Sequence, residues 1–332
     1  MRLHGGLDPQ TCVELAAIAE ANNLATVWFA ENPFSRGILP AVSACAMTTQ
    51  RVRLGVGVVN PYSRHPVSIA MEFGALDELA RGRLILGIGS GIAAAVERMG
   101  FGDRRPLSAV RDAIHIVRAL LRGEEATYSG GVFSVTGVKL AYRPPRTDMP
   151  IYMAAMGDRS LRLCGLLADG LILSNLCPLA FTERAVAIAC AAAIAAGRAA
   201  PRVVQYVPCL PRPRGDEARH MVKAMIGEML AGFWPASGAW PAAREAAVLL
   251  SGISREEFAA ALHRIRRGEG ASEVLDDRFV DAFALAGTAE DCLARAADYQ
   301  RAGVSELALT FAGSQPAADI EYLAGAIRRT RA

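Results

Sequence analysis

Residues 51–66 of the chain read RVRLGVGVVNPYSRHP. The stretch 52–59 is apolar at almost every position, which is typical of a strand covered by helices on both faces of a parallel sheet. It changes abruptly into a segment that contains an asparagine, an arginine, a histidine and two prolines. Pro66 then fits the first position of a helix, where a missing N–H costs nothing. The segment between strand and helix is either an ordinary turn or the rim of a functional site.

This strand–loop–helix unit recurs along the chain. Asp8 and Pro9 form a typical helix start, and about eight short apolar strands are each followed by a helical stretch. The alternation predicts an α/β fold, a parallel (β/α)₈ TIM barrel, as one domain over residues 1–332. A hairpin and loop near 123–149 and helices near 233–275 are predicted insertions. A doubly wound open sheet is the structural alternative. Besides the first strand, the expected strands cover 25–32, 52–59, 82–91, 150–158, 169–175, 202–210 and 305–311.

Composition excludes several classes of protein. The formal net charge is only +3, which does not favour a nucleic acid or an anionic membrane as partner. The N-terminus lacks an apolar signal region, and no uninterrupted apolar stretch has the length of a membrane span. The seven cysteines are scattered without metal-ligand spacing. We therefore expect reduced thiols in a cytoplasmic protein and no metal site.

Polar and glycine residues follow several of the expected strands. In a TIM barrel these carboxyl ends form the active site. The sequence GIGSG at 87–91 is glycine-rich but has no Walker lysine, and alone it also fits a tight turn. The sequence MGDRS at 156–160 places free backbone N–H groups at a helix start, where anions bind well. The alternative there is N-capping by Asp158 or Ser160.

Four segments together resemble a known family. They are 51–66, ALDELARGRLILGIGSG (75–91), PIYMAAMGDRSLRLCGLLADGLILSN (150–175) and AGTAEDCLARAADYQRAGVSELAL (286–309). Their order and spacing are similar to the bacterial-luciferase-like superfamily of flavin monooxygenases and coenzyme F420 enzymes. The methylenetetrahydromethanopterin reductase branch is closest in appearance. The resemblance covers nearly the whole chain and is weakest over 215–275.

The resemblance implies a TIM barrel with a flavin-type ring at the carboxyl ends of the strands. It implies a bulge in the third strand, often with a non-proline cis peptide, and the matching bond here is Gly57–Val58. That bulge backs the ring in the family. The remaining cofactor-binding residues that the resemblance implies are Asn60, Arg64, Gly89, Ser90, Gly91, Ala155, Met156, Gly157, Asp158, Arg159, Ser174 and Asn175, with 155–159 at the phosphate end.

The chain departs from its relatives at acid–base positions. Many relatives carry a histidine where this chain has Asn32, which cannot transfer a proton near neutral pH. The catalytic candidates are therefore Glu31, Asn32 and His65, with His4 as a further ionisable group. Each has a structural alternative: Glu31 could bond a buried amide or Arg36, and His65 could belong to a solvated turn.

By resemblance, we expect an oxidoreductase that uses F420 for hydride transfer to or from a small organic substrate. The alternatives are an FMN-dependent monooxygenase with a separate flavin reductase, a non-catalytic flavin-binding barrel and, less favoured, a non-redox barrel enzyme. The family also implies a homodimer. Phe233, Trp234 and Trp240 in the second insertion either cover the substrate cleft or pack the insertion itself.

Overall fold

Parallel strands in sequential order form the framework of the protein. The computed structural model describes residues 1–102, 105–235 and 238–331. The strands are β1 (Arg2–His4), β2 (Thr26–Ala30), β3 (Arg53–Val59), β4 (Leu84–Ile88), β5 (Ala126–Ser129), β6 (Ser134–Val138), β7 (Ile151–Ala154), β8 (Gly170–Leu173), β9 (Arg202–Pro211), β10 (Leu285–Gly287) and β11 (Glu306–Phe311).

The strand order decides between the two predicted architectures. The parallel sheet runs β1-β2-β3-β4-β7-β8-β9, with both β10 and β11 paired to β9. A doubly wound sheet would reverse its strand order at a switch point, and no reversal occurs among the described strands. On the far side β11 lies beside β1, where Arg2 donates to the Thr310 hydroxyl over 3.2 Å. The predicted (β/α)₈ barrel is therefore confirmed, and β10 is a short addition.

Helices cover the outside of the sheet. The Asp8 carboxylate caps the first helix by accepting from Thr11 N over 3.0 Å. The Ala-rich sequence of residues 184–200 predicts a buried helix, and in the structure this helix begins earlier, directly after its N-cap residue Pro178. The helices are α1 (Pro9–Ala21), α2 (Ile38–Thr48), α3 (Pro66–Leu79), α4 (Ala93–Arg98), α5 (Pro106–Leu121), α6 (Asp158–Leu167), α7 (Leu179–Ala195), α8 (Gly215–Phe233), α9 (Ala242–Leu249), α10 (Arg255–Arg266), α11 (Ala271–Val274), α12 (Asp277–Phe283), α13 (Ala289–Arg301) and α14 (Pro316–Arg331).

The interior of the barrel is filled with side chains. Trp28, Tyr152 and Tyr206 pack there with aliphatic residues from the other strands. At the strand starts, Glu306 of β11 accepts from Trp28 Nε1 over 2.7 Å and from the Arg53 guanidinium over 2.9 Å. Because the interior is packed, a ligand has to bind at a mouth of the barrel. In the described part of the chain, no helix combines the length and the apolar character needed to cross a membrane.

Two insertions interrupt the alternation of strands and helices. The hairpin β5–β6 is held against α5 by Asp112, whose carboxylate accepts from Val132 N over 2.7 Å and from the Tyr128 hydroxyl over 3.0 Å. The helices α8–α12 lie between β9 and β10 and enclose an apolar cluster of their own, centred on Trp234 and Phe258. The second insertion therefore begins at Gly215, earlier than the predicted residue 233.

The Asp112 carboxylate makes a pH-dependent contribution to stability. Burial raises its pKa, but the hydrogen bonds from Val132, Phe133 and Tyr128 outweigh burial, and the net pKa lies below the ordinary 3.8. A lowered folded-state pKa stabilises the protein above the unfolded-state pKa, and that stability is lost as the pH falls through the folded-state value. We expect Asp112→Asn to lower the free energy of unfolding by about 2 kcal/mol at neutral pH.

Urea unfolding at pH 7 and at about pH 3 checks this, since the difference between wild type and Asp112→Asn should shrink as the carboxylate protonates. Exposed Asp148→Asn is the control. If wild type and Asp112→Asn differ equally in unfolding free energy at both pH values, the lowered pKa of Asp112 is contradicted.

Candidate active site

The third and fourth strands approach each other closely at their carboxyl ends. The pairing of β3 with β4 shifts register between Val56 and Val59, and the Gly57–Val58 peptide is cis, at the position that the resemblance implied. Two glycines on β4 make room for this irregularity. A Cβ on Gly87 would lie 2.2 Å from Val56 O, and a Cβ on Gly89 would lie 2.7 Å from Val58 Cγ2.

Tyr206 supports the irregular segment from across the barrel. Its hydroxyl donates to Gly57 O over 3.2 Å, and a Cβ on residue 57 would lie only 1.7 Å from that hydroxyl oxygen. Burial raises the pKa of Tyr206, which keeps the phenol protonated as a donor. Val58 and Ala154 are partly exposed and pack on the barrel's inner cluster. They form a small apolar floor at the mouth of the barrel.

The segment 60–66 is a turn and also a part of the rim. Asn60 Oδ1 accepts from Tyr62 N over 3.1 Å and from Ser63 N over 2.9 Å, so its amide oxygen organises the turn. A Cβ on Gly91 would meet Asn60 Cβ at 3.3 Å, which shows that the loops after β3 and β4 touch. Ser90, half-buried beside Gly91, lies in the same loop.

Arg64 links this segment to the end of β2. Its guanidinium lies 2.6 Å from Glu31 Oε1 and 3.4 Å from Glu72 Oε2. The Arg64 and Glu31 side chains are 19% and 16% exposed, so the pair is largely withdrawn from water. The alternative pairing of Glu31 with Arg36 is wrong, because Arg36 donates to Gly6 O over 2.7 Å. Glu31 Oε2 is buried and has no hydrogen-bond partner among the described residues.

The side chains of the other three polar candidates accept hydrogen bonds from backbone amides. Asn32 Oδ1 accepts from Gly5 N over 2.9 Å and ties the end of β2 to the loop after β1. His65 is the N-cap of α3, where its Nδ1 accepts from Val67 N over 3.2 Å. His4 Nδ1 accepts from Gly6 N over 3.1 Å, and burial, followed by the nearby Arg2, lowers the His4 pKa.

The start of α6 is open for an anion. The predicted alternative of capping by Asp158 or Ser160 is wrong: Gly157 is the N-cap, and no described side chain caps this helix. The Ser160 hydroxyl instead donates to Gly157 O over 2.7 Å, and Asp158 pairs with Arg184 over 2.7 Å. The first amides of α6 are therefore oriented for an anion such as a phosphate. Arg159 is exposed beside them, Ala155 is buried and Met156 is half-buried.

Arg244 was missed by the sequence analysis. It projects from α9 and donates to Asn175 O over 2.9 Å and to Ser174 Oγ over 3.2 Å, at the end of β8. No local sequence motif predicts a site role for Arg244. The only signal was the aromatic pair Phe233–Trp234 in the same insertion, and the guanidinium lies over both rings.

A cavity of about 270 Å³ lies at the opposite, N-terminal end of the barrel, lined by Arg53, Arg83, Arg146 and Arg202. Two of these arginines are already paired, Arg146 with Asp77 over 2.7 Å and Arg53 with Glu306 over 2.9 Å. Polar groups at this end of a TIM barrel usually serve stability. The chemistry-bearing residues gather at the other mouth, and among the described residues no group of three His, Cys, Asp or Glu is placed to hold a metal ion.

Comparisons with known proteins agree with this geometry. The family described as luciferase-like monooxygenase matches residues 1–306. The 5,10-methylenetetrahydromethanopterin reductase of Methanolobus tindarius is 30% identical over 298 residues, 88% of this chain and 87% of the relative. The F420-dependent glucose-6-phosphate dehydrogenase of Beutenbergia cavernae is 36% identical over 141 residues, 41% of this chain and 42% of the relative.

The solved structure of the coenzyme F420 dependent tetrahydromethanopterin reductase from Methanopyrus kandleri superposes with a TM-score of 0.86. It is 23% identical, and the match covers 98% of this chain and 96% of that one. At this level of identity the match establishes the fold.

The contact between Gly57 and Tyr206 can be tested by a pair of substitutions. Gly57→Ala places a methyl group against the Tyr206 hydroxyl, so we expect a loss of about 2 kcal/mol or more in the free energy of unfolding. Tyr206→Phe alone should cost about 1 kcal/mol for the lost hydrogen bond. In the double variant the next contact is Tyr206 Cζ at 3.1 Å, so part of the loss should be recovered.

Urea unfolding of the four proteins gives the coupling free energy directly. If the loss of unfolding free energy in the double variant equals the sum of the losses in the two single variants, the proposed contact is contradicted.

Proposed function

The chain belongs to the luciferase-like monooxygenase family, and on that premise we propose that it is an oxidoreductase that uses coenzyme F420 to transfer hydride to or from a small organic substrate. The single observation that carries the proposal is the apolar floor formed by Val58 and Ala154, where glycines replace side chains at the mouth of the barrel. The relative from Beutenbergia cavernae, whose name includes F420, supports this choice of cofactor.

The residues at the mouth fit a flat, phosphate-bearing cofactor. A side chain at Gly89 would collide with Val58, so the absence of a Cβ keeps the floor flat. Val58 and Ala154 would lie under the ring, and the loop of Ser90 and Gly91 would flank it. The open amides at the start of α6 would bind the phosphate. When bound, a deazaflavin accepts or donates a hydride and reacts poorly with oxygen.

Glu31 is the proposed proton acceptor. Its Oε1 is held by Arg64 at 2.6 Å, which fixes the carboxylate at the rim and leaves Oε2 without a described partner. An ionised carboxylate accepts hydrogen bonds only, so the second oxygen is the proposed acceptor for the proton of a substrate hydroxyl, which has to displace the groups that bury this oxygen. Asn32 cannot do this, and the His65 Nδ1 lone pair is already used at the start of α3.

FMN-dependent oxygenation with a separate flavin reductase is the second candidate. The family description favours it, and the α6 amides would accept an FMN phosphate equally well. A ring-binding barrel without catalysis would take up the cofactor and exchange no hydride.

We further propose a homodimer and a cytoplasmic location. Exposed apolar side chains on two neighbouring helices, Met47 of α2 with Met71 and Leu79 of α3, support an interface there. All seven cysteines are free, which supports a reducing compartment.

Parallel titrations with F420 and FMN, followed by ring fluorescence, test the cofactor. We expect F420 to bind with Kd below about 100 μM, a free energy more favourable than about −5.5 kcal/mol. Gly89→Ala should weaken binding at least tenfold, because its Cβ displaces Val58. Gly232→Ala is the matched control, since a Cβ there meets nothing within 4 Å.

Each outcome of these titrations has a definite reading. Tight binding of FMN alone would support the monooxygenase alternative. Binding of neither cofactor would overturn the proposal. Binding of F420 without hydride exchange across a panel of small alcohols and carbonyl compounds would indicate a binding protein.

A further inference from the structure

Arg244 brings a positive charge from the inserted helices to the barrel mouth. The guanidinium lies 4.6 Å from the centroid of the Phe233 ring and 5.2 Å from that of Trp234. It donates to Ser174 Oγ and Asn175 O, the two residues that directly follow β8. Because β8 is parallel to β7 and neighbours it, this point lies beside the start of α6, at the same end of the barrel as the apolar floor.

No carboxylate neutralises Arg244 within the described ranges 1–102, 105–235 and 238–331. Arg146 and Arg212 have such partners: Arg146 pairs with Asp77 over 2.7 Å, and Arg212 pairs with Asp319 over 3.0 Å. Arg83, by contrast, donates to Thr49 and to backbone oxygens. The neighbouring Glu245 pairs with Arg255 rather than with Arg244. Burial lowers the pKa of Arg244, which reflects the cost of keeping this cation away from water without an anion.

Two further polar atoms around Arg244 are buried without a partner in the described structure. They are Oδ1 of Asn175, a residue 1% exposed, and Nε1 of Trp234, a residue 2% exposed. Buried polar atoms are usually hydrogen-bonded, so these two atoms beside one unneutralised cation are groups that a polar ligand can satisfy. The guanidinium has five N–H donors, of which one goes to Ser174 and one to Asn175. The rest remain for a ligand.

We propose that Arg244, with the Trp234 indole N–H beside it, binds a carboxylate on the substrate, so that the enzyme's substrates are small organic acids. This assignment rests on the proposed function and adds the substrate class to it. Arg244 is a specificity-determining residue in this account, and the reacting carbon lies away from it, over the floor of Val58 and Ala154. Asn175 Oδ1 accepts a hydrogen bond from a hydroxyl or amino group next to the carboxylate.

The surroundings favour a carboxylate over other groups. One arginine neutralises one negative charge, whereas a phosphate monoester would bring up to two next to the rings of Phe233 and Trp234. The planar guanidinium fork matches the two oxygens of a carboxylate. A neutral amide would leave the charge of Arg244 uncompensated.

Calorimetric titration of the F420-loaded protein with benzoate, benzamide and orthophosphate tests the assignment. We expect benzoate to bind at least tenfold more tightly than benzamide. Arg244→Gln should weaken the binding of benzoate at least tenfold and leave the binding of benzamide unchanged, because glutamine is polar but uncharged. Arg255→Gln is the matched control, since Arg255 lies 4.6 Å from the Trp240 ring and is exposed.

A merely structural role for Arg244 predicts equal changes for benzoate and benzamide, and that result would overturn the assignment. Wild-type protein that binds no benzoate, or that prefers orthophosphate, would also overturn it. An F420 titration of the wild-type protein separates the two proposals. Wild-type protein that binds F420 but does not discriminate between benzoate and benzamide refutes the carboxylate site alone. Wild-type protein that does not bind F420 refutes the proposed cofactor, and benzoate titration of the cofactor-free wild type and Arg244→Gln proteins then decides the role of Arg244.

Discussion

The hydrogen bond from the Tyr206 hydroxyl to Gly57 O crosses the interior of the barrel and positions the irregular part of β3. The phenol stands where a Cβ of residue 57 would be, so only glycine fits there. Gly87 and Gly89 on β4 give the same kind of clearance on the other side of Val58. These close approaches determine where Val58 and Ala154 form the floor at the mouth. The segment 60–66 continues from this floor and brings Arg64 to Glu31.

The mouth combines the apolar floor with the open start of α6 and with polar side chains from several loops. We propose that the floor receives the ring of the cofactor and that the α6 amides receive its phosphate. The acid–base position that often holds histidine is occupied by Asn32, which here orders the loop after β1. We propose Glu31 for the proton-accepting role instead. On the opposite side of the mouth, the helices between β9 and β10 contribute Arg244.

Much of the fold followed from the sequence because its signals are local. Continuous apolar runs, Pro66 at a helix start and four ordered family segments indicated the barrel and the position of the Gly57–Val58 irregularity. The Ala-rich helix was placed too late, since uniform alanines show no boundary and Pro178 sets it. The site pairings could not be predicted. Glu31 and Arg64 are 33 positions apart, and Arg244 and Asn175 are 69 apart, so only the packed chain brings them together.

A crystal structure of the F420 complex would test the central claim most directly. The account predicts that one face of the deazaflavin ring lies on Val58 and Ala154, at van der Waals separations of about 4 Å, with the phosphate at the amides of α6. Its other face would point toward Glu31 and Arg244. A ring bound away from Val58, for example in the arginine-lined cavity at the N-terminal end of the barrel, would contradict the account.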